Sequence, residues 1–431
     1  MVMWMLHHHA TGTPKLCTRR APKSPLRNRS ASYLCHTVTP TLVCPAPKRS
    51  ESKMGELLPP RAAVSLLLPL LLVFTSPEAV TPATTPPVRR RYGSIFSFGD
   101  SFADTGNGPA VFRWHSIPDP AMRPPYGSTF FGRPTGRNCD GRLAIDFLAE
   151  SMGLPLVPPF LAHNGSFRAG ANFAVAGATA LDASFFRGPF NASLNVQLQW
   201  FESLKPSLCG TAQECREFFR RSLFVMGEFG FNDYTISFYN KSIQQVRSLV
   251  PDVIRTISMA IERFIKHGAT NLVVTGMLPL GCTPPVLVRF DADSDQARYN
   301  PRTGCLDEVN ELAINHNSLL VESLEKIRAK NPEVEIIYAD FFSPIMEMVE
   351  SPRKFGFEGD VLTVCCGGPG RYHYSQAISC GDPGASKCED PSARLFWDGA
   401  HLTEAANRYV ANDWLSSINP PAMQVPAVIS S

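Results

Sequence analysis

The sequence Ser94-Ile95-Phe96-Ser97-Phe98-Gly99-Asp100-Ser101 passes from five residues suited to a buried strand into a glycine and two polar residues. Similar short apolar runs recur at Ser222–Met226, Asn271–Thr275 and Val334–Tyr338. Their β-branched and aromatic content favours strands over helices. We therefore predict that residues 94–98 form the first of several buried strands.

Longer amphipathic segments separate these runs. Apolar residues recur with a helical period over Ile243–His267, and Leu306–Lys330 shows the same pattern. Strands that alternate with helices indicate a parallel sheet covered on both faces. Ligands bind such sheets beyond the carboxyl ends of the strands, so we expect functional residues just after the strands.

Several polar or small residues lie where this rule expects them. Ser101 lies at a strand-to-helix junction, where backbone N–H groups and the helix dipole favour negative charge developing during attack on a carbonyl. Asn232 offers an amide donor after the second strand, and Gly177 allows its backbone N–H to approach an oxygen closely. The alternatives are a helix cap for Ser101, an Asn-Asp turn for Asn232 and a turn glycine for Gly177.

A base for the serine is found near the end of the chain. Asp398 and His401 are three positions apart, just before the last predicted helix, where a turn brings both side chains to one side. His401 would take the proton of Ser101, and Asp398 would orient the imidazole and stabilise its cation. The alternative for His401 is a surface histidine. Together with Gly177 and Asn232, these residues predict a serine nucleophile, its base and a three-donor oxyanion hole.

The order of these segments resembles the plant GDSL esterase/lipase family of the SGNH hydrolase superfamily, over residues 94–417. The motifs that carry the resemblance are Phe98–Ser101, Asp104–Asn107, Asn172–Gly177, Gly230–Asp233 and Asp398–His401, with support from Asp140–Arg142, Pro279–Cys282 and Phe396–Asp398. No Gly-x-Ser-x-Gly elbow of the α/β-hydrolases occurs. One departure is Phe231, which stands where relatives commonly have glycine and is expected to narrow the cleft.

The resemblance implies an α/β fold, a three-layer α/β/α sandwich with a central parallel sheet (flavodoxin-like). It implies that Ser101 is the nucleophile, His401 the base and Asp398 its orienter, and that Ser101, Gly177 and Asn232 form the oxyanion hole. It also implies that no metal or organic cofactor takes part.

The same resemblance bears on the substrate. The chain is similar to the sinapine esterase-like and acetylajmalan esterase-like branch, which favours short acyl or acetyl esters on a secondary metabolite or a cell-wall polysaccharide such as xylan. Two alternatives remain: an acyltransferase that uses the same serine, and a non-catalytic homologue that binds glycan or ester. Three phenylalanines after the Gly177 segment either line an acyl pocket or belong to the core: Phe185, Phe186 and Phe190.

Charge is unevenly distributed over the 431 residues. Residues 1–53 contain nine Lys and Arg against one acid, so the remainder of this +3 chain carries a net charge of −5, which argues against a nucleic-acid partner. The apolar run Ala62–Phe74 is too short to span a bilayer and suits a signal peptide, with a short membrane anchor as the alternative. The expected organisation is a disordered or non-native extension (1–53), a signal peptide (54–80), a linker (81–93), the hydrolase domain (94–417) and a frayed tail (418–431).

Cysteines and sequons are consistent with a secreted protein. Nine cysteines follow the predicted signal peptide, which indicates disulfides with one cysteine left over, and Cys209 and Cys215 are close enough in sequence to pair. Asn164, Asn191 and Asn240 lie in glycosylation sequons. We expect a secreted monomer of the apoplast or cell wall, with no stable membrane insertion. A secretory-pathway lumen such as the Golgi or vacuole is the alternative.

Overall fold

The computed structural model describes residues 91–186, 192–291 and 299–419. Their centre is a five-stranded parallel sheet with the strand order β2-β1-β3-β4-β5, accompanied by a two-stranded antiparallel pair, β6-β7. The strands are β1 (Ser94–Phe98), β2 (Gly170–Asn172), β3 (Ser222–Met226), β4 (Asn271–Thr275), β5 (Glu335–Ala339), β6 (Cys366–Gly367) and β7 (Ser386–Lys387).

Helices connect and cover these strands. They are α1 (Gly108–Trp114), α2 (Ala144–Ser151), α3 (Ala183–Phe186), α4 (Leu194–Leu208), α5 (Ala212–Phe219), α6 (Phe231–Ser237), α7 (Ile243–Arg247), α8 (Val250–His267), α9 (Pro284–Asp291), α10 (Asp307–Lys330), α11 (Ser343–Glu350) and α12 (Glu404–Ile418). One group packs around α8, which contacts α4, α5 and α10, and another packs around α12, which contacts α2 and α11. The predicted three-layer α/β/α sandwich is confirmed.

Aromatic rings fill the space between the sheet and α8. Phe98 of β1 lies 4.5 Å from Phe264 of α8 and stacks on Phe173 at 5.0 Å, measured between ring centroids. Phe224 of β3 contacts the same Phe264 ring at 5.4 Å. Such pairs add about 0.5–1.5 kcal/mol each beyond the burial of their apolar area, so they stabilise the centre of the sheet on which the site is built.

Some elements differ from the sequence prediction. The predicted helix Ile243–His267 is interrupted, with α7 ending at Arg247 and α8 beginning at Val250. Pro251 lies in the first turn of α8, where its missing N–H costs no helical hydrogen bond and where proline is common at a helix start. Strand β5 lies one residue later than predicted, and the edge strand β2 was not predicted as a strand.

Packing of the domain also begins before the predicted boundary at residue 94. Tyr92 is 2% exposed, and the N–H of Gly93 donates to Arg221 O at 2.8 Å. Ile418, placed in the predicted tail, is buried at the end of α12. The predicted extension, the signal peptide, residues 81–90 of the linker and residues 420–431 of the tail lie outside the described residues.

Disulfides join eight of the nine cysteines that follow the predicted signal peptide. The pairs are Cys209–Cys215, Cys282–Cys305, Cys365–Cys388 and Cys366–Cys380, and Cys139 is a free, buried thiol. This agrees with the prediction of disulfides with one cysteine left over. Among the described residues, no helix is both long and apolar enough to cross a membrane.

Candidate active site

The carboxyl ends of β1, β2 and β3 meet at one edge of the sheet. Phe98 pairs with Met226 and Ser97 pairs with Asn172, so the loops that follow these three strands emerge side by side. They carry Ser101, Gly177 and Asn232, which all line one cleft. The sheet register therefore brings together three segments that are far apart in sequence.

Ser101, His401 and Asp398 form a hydrogen-bonded chain. His401 Nε2 lies 2.8 Å from Ser101 Oγ, and His401 Nδ1 lies 2.5 Å from Asp398 Oδ1. Because a carboxylate only accepts, Nδ1 carries the ring hydrogen and Nε2 presents its lone pair to the serine hydroxyl. This geometry suits removal of the hydroxyl proton by the imidazole.

A tight turn sets the spacing of Asp398 and His401. The N–H of Trp397 donates to His401 O at 2.6 Å, and Phe396 bridges to Leu402 across the turn. The second carboxylate oxygen of Asp398 accepts a hydrogen bond from the buried hydroxyl of Tyr126. Tyr126 was not predicted from the sequence, because no motif marks it and it lies 272 positions from its partner.

The loop that carries Ser101 is held by buried polar groups. Asp104 accepts four backbone N–H bonds at 2.7–2.8 Å, from Gly106, Asn107, Gly108 and Ala176. Gly99 has a φ of +146°, and a Cβ there would lie 3.3 Å from Gly227 Cα, so the close approach of the loops after β1 and β3 requires glycine. These constraints fix the serine at the edge of the sheet.

The three predicted oxyanion donors are not equivalent. Neither Ser101 N nor Gly177 N donates a hydrogen bond to any described residue, and both residues line the cleft. Asn232 also lines the cleft, but its Nδ2 donates to Asp100 Oδ2 at 2.8 Å and to Ala178 O at 2.9 Å. An amide nitrogen has two hydrogens. Both are therefore engaged, and the physical reason is that the buried Asp100 carboxyl draws one of them away from the cleft.

The cleft itself is small and is bounded on one side by a disulfide-linked loop. It encloses about 110 Å³. The residues that line it on that side are Tyr374, Ser375, Gln376, Ile378, Ser379 and Cys380. The Cys366–Cys380 disulfide ties this wall to β6. This wall could not be predicted from the sequence. Cys365 and Cys366 are adjacent and allow more than one disulfide pairing, so the position of the loop was left open.

The phenylalanines after Gly177 do not occupy either predicted position. Phe185 on α3 is 44% exposed, so it is not a core residue. With Phe186, Ile236 and Lys241 it lines a separate surface depression instead of the cleft at Ser101. Helix α3 has no buried residue, which explains why its rings stay at the surface. Phe190 lies outside the described residues.

Phe231 lines the cleft and packs edge-on against Phe102 at 5.5 Å. It therefore occupies space in the cleft that a glycine would leave open.

Of the predicted glycosylation sites, Asn164 and Asn240 are exposed, whereas Asn191 lies outside the described residues.

Known proteins resemble this chain over most of the described residues. The sequence profile of the family GDSL-like Lipase/Acylhydrolase matches residues 95–414. A GDSL esterase/lipase of Arabidopsis thaliana is 46% identical over 341 residues, which cover 76% of this chain and 91% of the relative. Another from the same plant is 43% identical over 80% of this chain and 90% of its own length. A sinapine esterase of Brassica napus is 42% identical over 78% of this chain and 88% of its own length.

Proposed function

Because this chain belongs to the GDSL-like lipase/acylhydrolase family and is a carboxylic ester hydrolase, we propose that Ser101, His401 and Asp398 hydrolyse the ester through an acyl-enzyme. One observation carries the proposal: a continuous hydrogen-bonded chain links the three side chains, with Ser101 Oγ 2.8 Å from His401 Nε2. A serine hydroxyl is a weak nucleophile, so the adjacent imidazole is what makes the attack feasible at neutral pH.

The reaction proceeds in two steps. Ser101 Oγ attacks the ester carbonyl while His401 Nε2 takes its proton, and the imidazolium then gives that proton to the departing alcohol. Water deprotonated by His401 next attacks the acyl-enzyme and releases the acid. Asp398 holds the imidazole in the correct tautomer throughout and stabilises its cation.

Backbone N–H groups stabilise the negative charge that develops on the carbonyl oxygen. Ser101 N and Gly177 N are the two open donors, and Asn232 supplies a third when one of its amide hydrogens turns from Asp100 to the oxyanion. Loss of one such donor typically costs about 10²–10³-fold in rate. The Asn232 contribution therefore depends on how tightly Asp100 holds the amide.

Short acyl groups are the proposed substrates. The cleft, with Phe231 on its wall, has a volume of about 110 Å³, which is below the roughly 300–1,000 Å³ of sites that enclose drug-sized ligands. An acetyl or similarly short acyl group fits this space, with the alcohol part, a secondary metabolite or a polysaccharide such as xylan, remaining outside it. The relative named sinapine esterase makes sinapine a further ester to assay.

The proposed location is outside the cytoplasm, in the apoplast or cell wall. Four disulfides and the predicted signal peptide support it, because disulfides persist in oxidising compartments. Glycosylation is proposed at Asn164 and Asn240, whose side chains are exposed. That the protein is a monomer stays a prediction.

Replacement of the nucleophile tests the proposed function. Ser101→Ala removes the attacking oxygen, so we expect hydrolysis of nitrophenyl acetate to fall by at least about 10³-fold, to background. A matched control is Ser318→Ala, an exposed serine on α10, which should retain wild-type rates. Hydrolysis by Ser101→Ala at the wild-type rate would contradict the proposal.

The same assay tests the acyl preference when it is run with nitrophenyl esters of increasing chain length. A small cleft predicts that kcat/KM is highest for acetate and falls steadily toward long chains. Faster turnover of laurate than of acetate would contradict the short-acyl assignment and leave the role of Ser101 untouched.

A further inference from the structure

A second buried carboxyl lies behind the proposed oxyanion hole and has no part in the mechanism above. Glu228 follows β3 and is 2% exposed. Its Oε1 accepts the N–H of Phe231 at 2.9 Å. Its Oε2 is buried and receives no hydrogen bond from a donor on any described residue. The carboxyl group of Glu228 interacts with that of Asp100. A buried carboxylate oxygen without a donor is costly, so this atom needs a proton or a partner.

Asp100 is the group that Glu228 approaches, and it is fully buried. Its Oδ1 accepts the N–H of Phe102 at 3.0 Å, and its Oδ2 accepts the amide of Asn232 at 2.8 Å. Two adjacent buried carboxyls cannot both carry a charge at low cost. Burial raises the pKa of Asp100 and of Glu228, and the charge of Asp100 raises the pKa of Glu228 further. One proton is therefore shared between them.

The position of that proton affects Asn232. A fully charged Asp100 that receives no other hydrogen bond at Oδ2 competes strongly with the oxyanion for the amide hydrogen, because a charged acceptor binds a donor more tightly than a neutral one. A Glu228 carboxyl that donates to Asp100 disperses the charge of Asp100 and weakens its hold on the amide. The hydrogen of Asn232 can then be shared with a substrate oxygen.

We propose that Glu228 is a positioning residue for the oxyanion hole: its protonated carboxyl donates to Asp100 and so releases one amide hydrogen of Asn232 for the transition state. This inference rests on the proposed roles of Ser101 and Asn232. Glu228 touches neither substrate nor the reacting atoms, and it acts through Asp100.

Other ionisable groups face this pair and influence its proton. Asp233 and Tyr234 on α6 interact electrostatically with Glu228, and His401 does so with Asp100. Asp233 accepts the backbone N–H groups of Ala180 and Leu181 at 2.9 Å, an arrangement independent of the pair. When the pair loses its proton as the pH rises, a second negative charge lies behind the oxyanion hole. A decline in kcat on the alkaline side is therefore expected.

Two replacements of Glu228 distinguish the effect of its hydrogen-bond donor from the effect of its ionisation. Glu228→Leu removes the donor to Asp100, so we expect kcat on nitrophenyl acetate to fall about 10–100-fold with KM nearly unchanged. Glu228→Gln keeps an N–H donor that cannot ionise, so it should restore kcat to within about 3-fold of wild type and abolish the alkaline decline. The control is Glu404→Gln, a buried glutamate that pairs with Arg142 and does not line the cleft, which should keep the wild-type pH profile.

Several outcomes would overturn the inference. These are an alkaline limb in Glu228→Gln identical to that of wild type, a folded Glu228→Leu with wild-type kcat, or equal defects in both variants. If Glu228→Leu does not fold, infrared spectroscopy decides: at neutral pH, the spectrum of wild type minus that of Glu228→Gln must contain the C=O stretch of a protonated carboxyl. Ser101→Ala is measured in parallel, because its full activity would refute the proposed function and not the carboxyl pair.

Discussion

Ser101 and His401 meet across a single hydrogen bond, but the segments that carry them are held by different kinds of interaction. The loop after β1 is fixed by buried noncovalent bonds, with Asp104 accepting four backbone N–H groups. The segment before His401 is attached to the loop at residues 365–388, where Cys365 N and Cys366 N donate to Phe396 O and Trp397 O. That loop is closed by the disulfides Cys365–Cys388 and Cys366–Cys380.

The difference follows from position in the fold. The serine loop leaves an interior, fully buried strand of the sheet, where burial makes each hydrogen bond strong and each missing one costly. The loop at residues 365–388 contains only the short β6-β7 pair as regular strand structure, so few of its hydrogen bonds are protected in this way. Covalent links there restrict the unfolded chain instead. We call the loop after β1 the serine side and the segment before His401, with the loop at residues 365–388, the histidine side. The stability of the serine side should accordingly depend on the Asp104 carboxylate, and that of the histidine side on its disulfides, which a reductant breaks.

The largest effect on stability is expected from removing the Asp104 carboxylate, which accepts four backbone N–H groups on the serine side. Asp104→Ala leaves four buried N–H groups without an acceptor, which we expect to lower the free energy of unfolding by about 3–5 kcal/mol. Urea denaturation measures it. The control is Asp390→Ala, an exposed acid that caps a short 3-10 turn through Ser392 and should cost less than about 1 kcal/mol. Equal losses in the two variants would mean that the Asp104 network is not what holds this loop.

A smaller loss of stability is expected when the histidine side is broken covalently. Replacing Cys366 and Cys380 with serine opens a loop with a sequence separation of 14, which corresponds to about 3 kcal/mol. Because the freed wall lines the cleft, KM should also rise. Removing Cys209–Cys215 is the matched control, since this pair lies away from the cleft and its loss should leave KM unchanged. An unchanged KM after loss of Cys366–Cys380 would show that this disulfide is not required to hold the cleft wall in place.

The smallest effect is expected on the histidine side, at a hydrogen bond that depends on neither Asp104 nor a disulfide. Tyr126→Phe removes the hydroxyl that donates to Asp398, and a hydrogen bond to a charged group is worth about 1.5 kcal/mol, so kcat should fall about 10-fold. Stability should change little, because the ring remains packed against Trp397. Tyr409→Phe, whose hydroxyl reaches Phe355 O at the surface, is the control. A wild-type kcat in Tyr126→Phe would show that His401 needs no such support for Asp398.

Much of the fold was predictable because local pattern and burial agree in it. Strands β1, β3 and β4 are short apolar runs buried on both faces, and polar residues follow them at the carboxyl edge, where parallel sheets bind ligands. Ser101, Gly177 and Asn232 were found from this rule combined with the family resemblance. The break before α8 was missed although Pro251 signalled it, because the apolar period continues across the break.

Other parts of the site could not be predicted, since they depend on contacts between distant segments. Nothing near Tyr126 in the sequence indicates that its hydroxyl reaches Asp398. Glu228 reads as an ordinary residue after a strand, and only the approach of the loop after β1 places it beside Asp100. The engagement of both Asn232 hydrogens likewise follows from burial of Asp100, which a motif does not reveal.

The hydrogen bond between Ser101 and His401 joins residues 300 positions apart. During synthesis on the ribosome, the nucleophile emerges early, while its base is among the last parts of the domain to be made. Under the proposed mechanism, a nascent chain carries a serine but no partner to activate it. Hydrolysis starts only after synthesis of the domain is complete, so translation itself keeps the unfinished enzyme from acting on esters along its route.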